Sequence, residues 1–388
     1  MNPQRPTSRP TQALVGARVL LDDGFADDVA VLVDGRRIVD IVPLQDARLQ
    51  AAERVELGGG TLAPGFIDVQ VNGGGGVLFN DRPDLHGVRA IAAAHRQFGT
   101  TALLPTLISD DDATMDAATS AVAQALESNV PGVIGIHFEG PYLAPQRKGI
   151  HDAAHFRVPG DADFARLARA RGSVFVTLAP ERVAPEAIRE LVARGIVVAA
   201  GHTAATYEQT RAALDAGLSG FTHLFNAMSP LTSREPGVVG AALEDRASWC
   251  GIIADGFHAH AATLRVALAA KPRGKLVLVT DAMPPVGAAS DSFVLNGQTI
   301  ICRDGRCTNN AGVLAGSALD MASAVRYAVA QLHVAPEEAL RMAATYPAAW
   351  LRQRERGRIA PGMLADLVLL DADFGVRATW IGGAAQWH

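Results

Sequence analysis

The sequence predicts a closed (β/α)8 barrel and a small β-sandwich domain that both ends of the chain build together. Eight short runs rich in β-branched residues alternate with helix-like segments through most of the chain. The two ends instead hold short alternating runs without helical partners. The 388 residues are 49% hydrophobic and 19% charged, which is typical of a globular protein with ample core material.

The barrel strands are predicted from short apolar runs that are rich in β-branched residues. In chain order they cover residues 61–71, 100–108, 133–140, 174–181, 196–203, 220–225, 249–256 and 276–283. Segments between them, such as 85–98, 204–217 and 260–270, space alanine and leucine for one buried face. Residues 317–331, opened by a capping box of Ser317 and Asp320, and 335–351 are predicted to be closing helices. This alternation favours a closed barrel over an open doubly wound sheet.

The two ends of the chain predict one further domain. Asp-Gly turns break the alternating runs of residues 12–60, and the tail holds two more such runs, ADLVLLD and RATWIGG. We therefore predict that residues 1–60 and 357–388 are the two parts of the small β domain and that residues 61–356 form the barrel. The first twelve residues are polar and proline-rich, so we expect a frayed end that resembles neither a signal peptide nor a membrane anchor.

Charge and cysteine content exclude several classes of protein. The formal net charge of −5 provides no broad field for nucleic acid or an anionic membrane, although a few local residues could still hold an anionic substrate. Three cysteines, Cys250, Cys302 and Cys307, are too few for a disulfide framework or a four-cysteine zinc site. We expect them to fill ordinary core or strand positions in a protein of the reducing cytoplasm.

Ionisable and amide side chains close one predicted strand after another. In a (β/α) barrel the active site is built at the C-terminal ends of the strands, so residues there are candidate catalysts. The residues in question are Gln70, Asn72, Glu139, His202, His223, Asp255 and Asp281. Each by itself is more often a satisfied core group, a turn residue or a helix cap. Their joint occurrence at one mouth favours a single functional site.

One carboxylate and two imidazoles at such a mouth match a catalytic divalent metal site, which uses three protein ligands and leaves a position open. Glu139, His202 and His223 are the predicted ligands. A metal there would lower the pKa of its bound water from near 16 toward roughly 7 and would polarise a substrate carbonyl. Asp281, which closes the last strand, is predicted to act as general base and then as general acid.

Several motifs resemble a known family. PGFIDVQVNG after a short β segment, the Glu/His/His/Asp set and the closing GRIAPGMLADLVLLD are similar to the amidohydrolase superfamily. From about residue 17 to 370 the chain resembles its N-acetylglucosamine-6-phosphate deacetylase family, through HFEGPYLAPQRKGIH, VTLAPE, AAGHTAATY, GFTHLFNAMSPLTSREPGVVGAAL, IIADGFHAH, LVLVTDAM and GVLAGSALDMA. The resemblance implies a TIM-type barrel of the metal-dependent amidohydrolase type, with the same ligands and the same proton-transferring aspartate, Asp281.

The resemblance also implies the substrate contacts. They fall on Ile150, His151, Asn226, Ala227, Arg234, Asp255, Gly256, Phe257, His258, Leu314, Ala315 and Gly316. His151 would be a second catalytic residue that stabilises the developing oxyanion together with the metal. Arg234 and His258 would receive the phosphate, for which the planar donors of arginine are suited. In relatives this arginine reaches in from a neighbouring subunit, which predicts a homodimer with shared sites.

One motif departs from the wider superfamily, in which an H-x-H pair after the first strand binds a second metal. This chain has Gln70 and Asn72 there, and neutral amides are poor ligands for a transition metal. We therefore predict one divalent metal per subunit, with zinc expected first and iron or another transition metal left open. His137 faces the same side of its strand as Glu139 and is expected to support the site rather than to bind the metal.

The remaining polar and glycine-rich features have weaker interpretations. The stretch NGGGGV at 72–77 is either a mobile loop near the barrel mouth or a plain connector. Six histidines are expected on surfaces or helices, namely His86, His95, His155, His260, His333 and His388.

The predicted reaction is metal-dependent hydrolysis of N-acetyl-D-glucosamine 6-phosphate to D-glucosamine 6-phosphate and acetate. The enzyme would be cytoplasmic and would serve amino-sugar catabolism and cell-wall sugar recycling, without nucleic-acid or membrane partners. Three alternatives stay open. They are the same reaction on another acylated sugar phosphate such as the galactosamine epimer, a different amidohydrolase acting on a cyclic amide or an N-acyl amino acid, and a non-catalytic sugar-phosphate sensor.

Overall fold

A computed structural model describes residues 11–388, and the first ten residues, with most of the predicted frayed end, lie outside the described residues. The central part is the predicted barrel of eight parallel strands, each hydrogen-bonded to its neighbour in chain order. They are β1 (Phe66–Val71), β2 (Thr100–Ile108), β3 (Gly135–Glu139), β4 (Ser173–Leu178), β5 (Val197–Ala200), β6 (Gly220–Phe221), β7 (Trp249–Ile252) and β8 (Leu276–Leu278).

Helices alternate with these strands and cover the barrel. They are α1 (Leu85–Arg96), α2 (Asp112–Glu127), α3 (Asp161–Arg169), α4 (Pro185–Ala193), α5 (Tyr207–Asp215), α6 (Gly237–Glu244), α7 (Ala261–Ala270), α8 (Met321–Leu332), α9 (Pro336–Ala343) and α10 (Thr345–Trp350). In place of the predicted capping box, Asp320 alone caps α8 by accepting from the Ser323 N–H. No helix within residues 11–388 combines the length and hydrophobicity needed to span a membrane.

The two ends of the chain build the small β-sandwich, which confirms the predicted fold class. Its four-stranded sheet holds, in spatial order, Arg37–Pro43, Val29–Asp34, Gln12–Val15 and Glu53–Glu56. Its six-stranded sheet holds Ala384–Trp387, Val376–Ile381, Leu367–Leu370, Thr61–Pro64, Arg18–Leu21 and Gly24–Ala26. Leu14 and Val31 of the first sheet share one buried core with Val19, Leu367 and Trp380 of the second.

The strand predicted over residues 61–71 is two strands in two different sheets. Thr61–Pro64 belongs to the six-stranded sheet and β1 begins at Phe66. Gly65 separates them, and a Cβ atom there would stand 2.1 Å from Thr101 Oγ1, so only glycine fits this close approach. The apolar run at residues 61–71 therefore passes from the β-sandwich into the barrel without a polar break. The domain limits 1–60, 61–356 and 357–388 stay a prediction.

Between β8 and α8 the chain inserts an antiparallel sheet that the sequence analysis did not predict. We call it the cover sheet, and its strands are Ser292–Leu295, Gln298–Arg303, Arg306–Thr308 and Leu314–Ser317. It packs on the barrel mouth, because its Ile300 shares a buried cluster with Leu78 and Met283. Asn296 Nδ2 also donates to Ile150 O at 3.0 Å.

Two of the three cysteines form a disulfide within the cover sheet. Cys302 and Cys307 lie opposite each other on adjacent strands and are bonded. Both lie at buried strand positions, as expected, but the bond between them was not expected, whereas Cys250 is a buried free thiol in β7. A count of cysteines could not reveal the pair, because the hairpin register brings the two side chains together.

The barrel closes between β1 and β8 at the mouth. The N–H group of Asp281 donates to Gln70 O at 3.0 Å, and Asp68 accepts from Thr280 Oγ1 at 2.5 Å. Burial raises the pKa of Asp68 to about 7. These bonds fix the end of the last strand against the end of the first, and both ends carry predicted site residues.

Candidate metal-binding and catalytic site

Four predicted site residues lie together at the C-terminal ends of barrel strands. Glu139 ends β3, while His202, His223 and Asp281 follow β5, β6 and β8. All four are buried. The three that follow their strands have left-handed backbone, with φ angles of 48°, 33° and 53°. Residues other than glycine rarely adopt this conformation, and it clusters at functional sites where the surrounding structure enforces it.

The three predicted metal ligands converge. Glu139 Oε1 is 3.3 Å from His202 Nε2 and 3.0 Å from His223 Nε2, and the two nitrogens are 3.1 Å apart. His202 Nδ1 donates to Arg147 O at 2.9 Å, so the Nε2 atom of the neutral ring carries a lone pair. Two imidazoles and a carboxylate within 4.8 Å of one another fit a divalent transition metal.

The surroundings of Glu139 keep its carboxylate ionised. Burial acts to raise the pKa of Glu139, but the neighbouring imidazoles of His202 and His223 hold it well below its ordinary value. Burial likewise opposes a charge on His223, yet the neighbouring Glu139 carboxylate raises the pKa of that imidazole. Glu139 is therefore ionised, and the ionised carboxylate is the form that binds a metal.

Two amide side chains hold the carboxylate of Asp281. Gln70 Nε2 donates to Asp281 Oδ1 at 3.1 Å and to Glu139 Oε1 at 2.9 Å, and Asn72 Nδ2 donates to Asp281 Oδ1 at 2.6 Å. Both bonds reach Oδ1, and no residue within 11–388 hydrogen-bonds to Oδ2. Burial, followed by repulsion from Glu139, raises the pKa of Asp281 to about 6. A carboxyl with one free oxygen and a pKa near neutrality can accept and return a proton.

His151 presents a hydrogen-bond donor next to the cluster. Its ring centroid is 4.4 Å from that of His202, and its Nε2 is 3.7 Å from Glu139 Oε2. The backbone N–H of Ser109 points at His151 Nδ1 at 3.3 Å and can only donate, so the ring proton lies on Nε2. Burial lowers the pKa of His151 to about 3, which keeps the ring neutral.

His137 does not join the ligand cluster. Its Nδ1 donates to Val69 O at 3.0 Å, and Thr177 Oγ1 donates to its Nε2 at 2.8 Å. Burial lowers the pKa of His137 to about 4, so the ring is neutral. Both nitrogens are used inside the barrel, which supports the predicted structural role.

A cavity of about 340 Å³ opens above these side chains. Seven predicted substrate residues line it, namely Ile150, His151, Asn226, Ala227, His258, Leu314 and Gly316. Five others do not line it within this chain, namely Arg234, Asp255, Gly256, Phe257 and Ala315. Asp255 instead accepts a hydrogen bond from His258 Nδ1 at 2.7 Å and so orients that ring. Arg234 lies on an exposed loop between β6 and α6.

Sequence reasoning missed other lining residues. They are Ile108, Gly149, Met283, Arg306, Gly312 and Val313. Three of them belong to the cover sheet or its last loop, which was not predicted. The sequence did hold a signal for this sheet, because the Asp304-Gly305 pair between two alternating runs is typical of a tight hairpin turn. In the structure both residues have the positive φ angles of such a turn, 51° and 85°.

The glycine-rich stretch packs tightly beside the site. Gly75 N–H donates to Val286 O at 2.7 Å, and His95 Nε2 lies 2.9 Å from Gly73 O. A Cβ atom at Gly74 would stand 2.9 Å from the His95 ring. The glycines therefore permit close packing against α1 and against the segment that follows Asp281, which agrees better with a connector than with a mobile loop.

Comparisons with known proteins agree with this geometry. The model of the Amidohydrolase family matches residues 61–385. An N-acetylgalactosamine-6-phosphate deacetylase from Shewanella sp. (strain ANA-3) is 45% identical, over 95% of this chain and 94% of that protein. An N-acetylglucosamine-6-phosphate deacetylase from Homo sapiens is 38% identical, with 98% of each chain covered. The crystal structure of N-acetylglucosamine-6-phosphate deacetylase from Pasteurella multocida matches with a TM-score of 0.94 at 35% identity, covering 97% of this chain and 100% of that one.

The chain therefore belongs to the amidohydrolase family, whose fold and site type it shares. Within that family it belongs with the deacetylases of N-acetylglucosamine and N-acetylgalactosamine 6-phosphates, as the sequence motifs predict.

Proposed function

We propose that this chain hydrolyses the N-acetyl group of N-acetyl-D-glucosamine 6-phosphate to D-glucosamine 6-phosphate and acetate, in amino-sugar catabolism and cell-wall sugar recycling. The observation that carries the proposal is the cluster of Glu139, His202 and His223 next to the free oxygen of Asp281. The cavity of about 340 Å³ above it lies within the range of small-molecule sites. The human and Pasteurella relatives, matched nearly end to end, support this substrate.

Glu139, His202 and His223 would hold one divalent metal per subunit, with zinc as the first candidate and iron or another transition metal as alternatives. When bound, such an ion supplies Lewis acidity toward the acetyl carbonyl and lowers the pKa of water toward about 7. The N–H groups that Gln70 and Asn72 direct at the two carboxylates support a single metal, because those amides offer no charge to a second one.

Asp281 would move the proton. Its Oδ2 takes a proton from the attacking water as the new C–O bond forms, and it returns that proton to the amide nitrogen as the C–N bond breaks. Gln70 and Asn72 keep the carboxylate oriented through Oδ1 during both transfers. The neutral His151 would donate its Nε2–H to the oxygen on which negative charge develops, which stabilises the tetrahedral state.

The sugar phosphate would bind at the rim of the cavity. His258, fixed by Asp255, and the segment of Asn226 and Ala227 would contact it within the subunit. Arg234 does not line the cavity of its own chain, which is the arrangement expected if it serves the site of a neighbouring subunit in a homodimer. A cytoplasmic location belongs to the proposal, because a sugar phosphate carries a charge that does not cross a bilayer unaided.

N-acetyl-D-galactosamine 6-phosphate is the second candidate substrate. The relative from Shewanella sp., at 45% identity, is named for that epimer, whereas the human relative, at 38%, is named for the glucosamine one. The metal cluster and Asp281 act on the acetamido group, which both sugars share, so they do not separate the two.

The test is acetate release from both phosphorylated epimers and from unphosphorylated N-acetylglucosamine, before chelation, after chelation and after metal return. We expect chelator-sensitive turnover of the phosphorylated glucosamine substrate, slower turnover of its epimer and little of the free sugar. Faster turnover of the galactosamine epimer would replace the first substrate by the second. Absence of acetate from all three with metal bound would reject the reaction and favour a different amidohydrolase substrate or a sensor.

Shared sites predict that two inactive variants complement each other. Mixed dimers of Asp281→Asn and Arg234→Gln subunits contain one complete site, since an intact Asp281 meets an intact Arg234 from the other subunit. If equal amounts of the two variants associate at random, about a quarter of all sites are complete. The mixture is therefore expected to show about a quarter of the wild-type rate. The measurement is acetate release after the variants are unfolded and refolded together, with each variant refolded alone as control. No recovery in verified mixed dimers would remove Arg234 from the neighbouring site.

A further inference from the structure

We propose that Arg306 of the cover sheet binds the phosphate of the substrate from within the same subunit, next to His258. This inference rests on the proposed function, because it assigns a second arginine to the anion that the proposed substrate carries. It differs from the expected role of Arg234, which is a contact from a neighbouring subunit.

Arg306 connects the catalytic cavity with a second one. It lines the cavity above the metal cluster, together with His258 and Leu314. It also lines an adjoining cavity of about 400 Å³, together with Phe257 and Arg303. The guanidinium therefore lies at the opening through which an anionic substrate would pass or in which its charged end would stay.

The catalytic cavity offers few positively charged side chains to a phosphate. Glu139 and Asp281 contribute carboxylates to its lining, and Arg306 is the one lysine or arginine among the described residues that line it. His258 donates from Nδ1 to Asp255, so only its Nε2 remains for a ligand. Arg306 makes no side-chain hydrogen bond or ion pair with any residue in 11–388, so its five donors are free for a ligand.

The hairpin holds Arg306 in place next to the loop that carries His258. The adjacent residue, Cys307, is bonded to Cys302 on the neighbouring strand. The turn contacts the loop that carries His258, since a Cβ atom at Gly305 would lie 3.5 Å from Phe257 Cε2. The exposed position of Arg306 thus comes from a paired hairpin rather than from a free loop.

Arg306→Gln tests the assignment, with Arg303→Gln as the matched control. Arg303 lies directly opposite Arg306 in the hairpin and lines the adjoining cavity but not the catalytic one. Its replacement therefore removes the same charge without changing the catalytic cavity. We expect Arg306→Gln to raise KM for N-acetylglucosamine 6-phosphate about 10-fold with a small change in kcat, as for loss of one charge-assisted hydrogen bond. KM for unphosphorylated N-acetylglucosamine should not change, and Arg303→Gln should match the wild type for both.

A second readout is calorimetric titration of the metal-loaded protein with glucosamine 6-phosphate. Glucosamine, which lacks the phosphate, is the control ligand. The phosphorylated amine is not hydrolysed, so this binding is measured whether or not the chain is a deacetylase. Weaker binding of glucosamine 6-phosphate to Arg306→Gln alone supports the proposal even if no acetate is ever released. Equal affinities of Arg306→Gln and Arg303→Gln, or an equal loss for both ligands, would overturn it.

Discussion

Replacing Asp281 with asparagine is expected to lower kcat for acetate release by about 1000-fold, because a general acid and base contributes 10²- to 10⁴-fold. Asparagine has the same shape but cannot carry the proton between water and the leaving nitrogen. The measurement is the steady-state rate, made together with metal content and thermal unfolding of the same preparation.

The fold should tolerate this substitution. Asp281 has φ 53°, and asparagine accepts left-handed backbone better than most residues. Its side-chain oxygen can still accept the hydrogen bonds that Gln70 and Asn72 give to Oδ1. Metal content and unfolding temperature are therefore expected to stay near wild type.

Asp255→Asn is the matched comparison, because it removes a carboxylate from another strand end at the same mouth. Asp255 orients His258 and touches no reacting atom, so its loss should raise KM more than it lowers kcat. An Asp281→Asn enzyme that holds its metal and turns over at normal rates would show that another group moves the proton.

Replacing Glu139 with glutamine is expected to abolish metal binding and, with it, activity. The amide keeps the shape of the side chain but loses the charge that a transition metal requires. Metal analysis should find about one equivalent in the wild type and close to none in the variant, as expected for a three-ligand site that loses one ligand. Chelation should lower the unfolding temperature of the wild type by several degrees and leave that of Glu139→Gln unchanged, since only a bound metal stabilises the fold.

His137→Gln is the matched control for this experiment. His137 is buried on the same strand and the same side, two residues before Glu139, but its nitrogens bond to Val69 and Thr177. Its loss should cost about 1–3 kcal/mol of stability through unpaired buried groups and leave the metal content unchanged. Loss of metal from His137→Gln, or full metal content in Glu139→Gln, would contradict the ligand assignment.

The placement of the candidate site was predictable because of the geometry of parallel barrels. All eight strands point the same way, so the residues that close their apolar runs must meet at one mouth. Glu139, His202, His223 and Asp281 each end or follow such a run, and the β-branched residues of the runs marked the strands themselves. The left-handed backbone at three of these positions could not be predicted, because tertiary contacts rather than local preference impose it.

The cover sheet was not predictable in the same way. Its strands are short and partly exposed, and their burial comes from the barrel mouth beneath them rather than from a continuous apolar run. Arg306 and the Cys302–Cys307 bond both lie in this sheet, so their positions beside the site were hidden as well.

The sequence by itself determined the barrel, the β-sandwich built from both ends of the chain and the four side chains at the barrel mouth. Local periodicity and strand polarity are sufficient for these features. Only the tertiary structure decided that the run at residues 61–71 divides at Gly65, that two cysteines are bonded and that Arg306 faces the site cavity. Those features depend on contacts between segments far apart in the chain, for which no local pattern carries the signal.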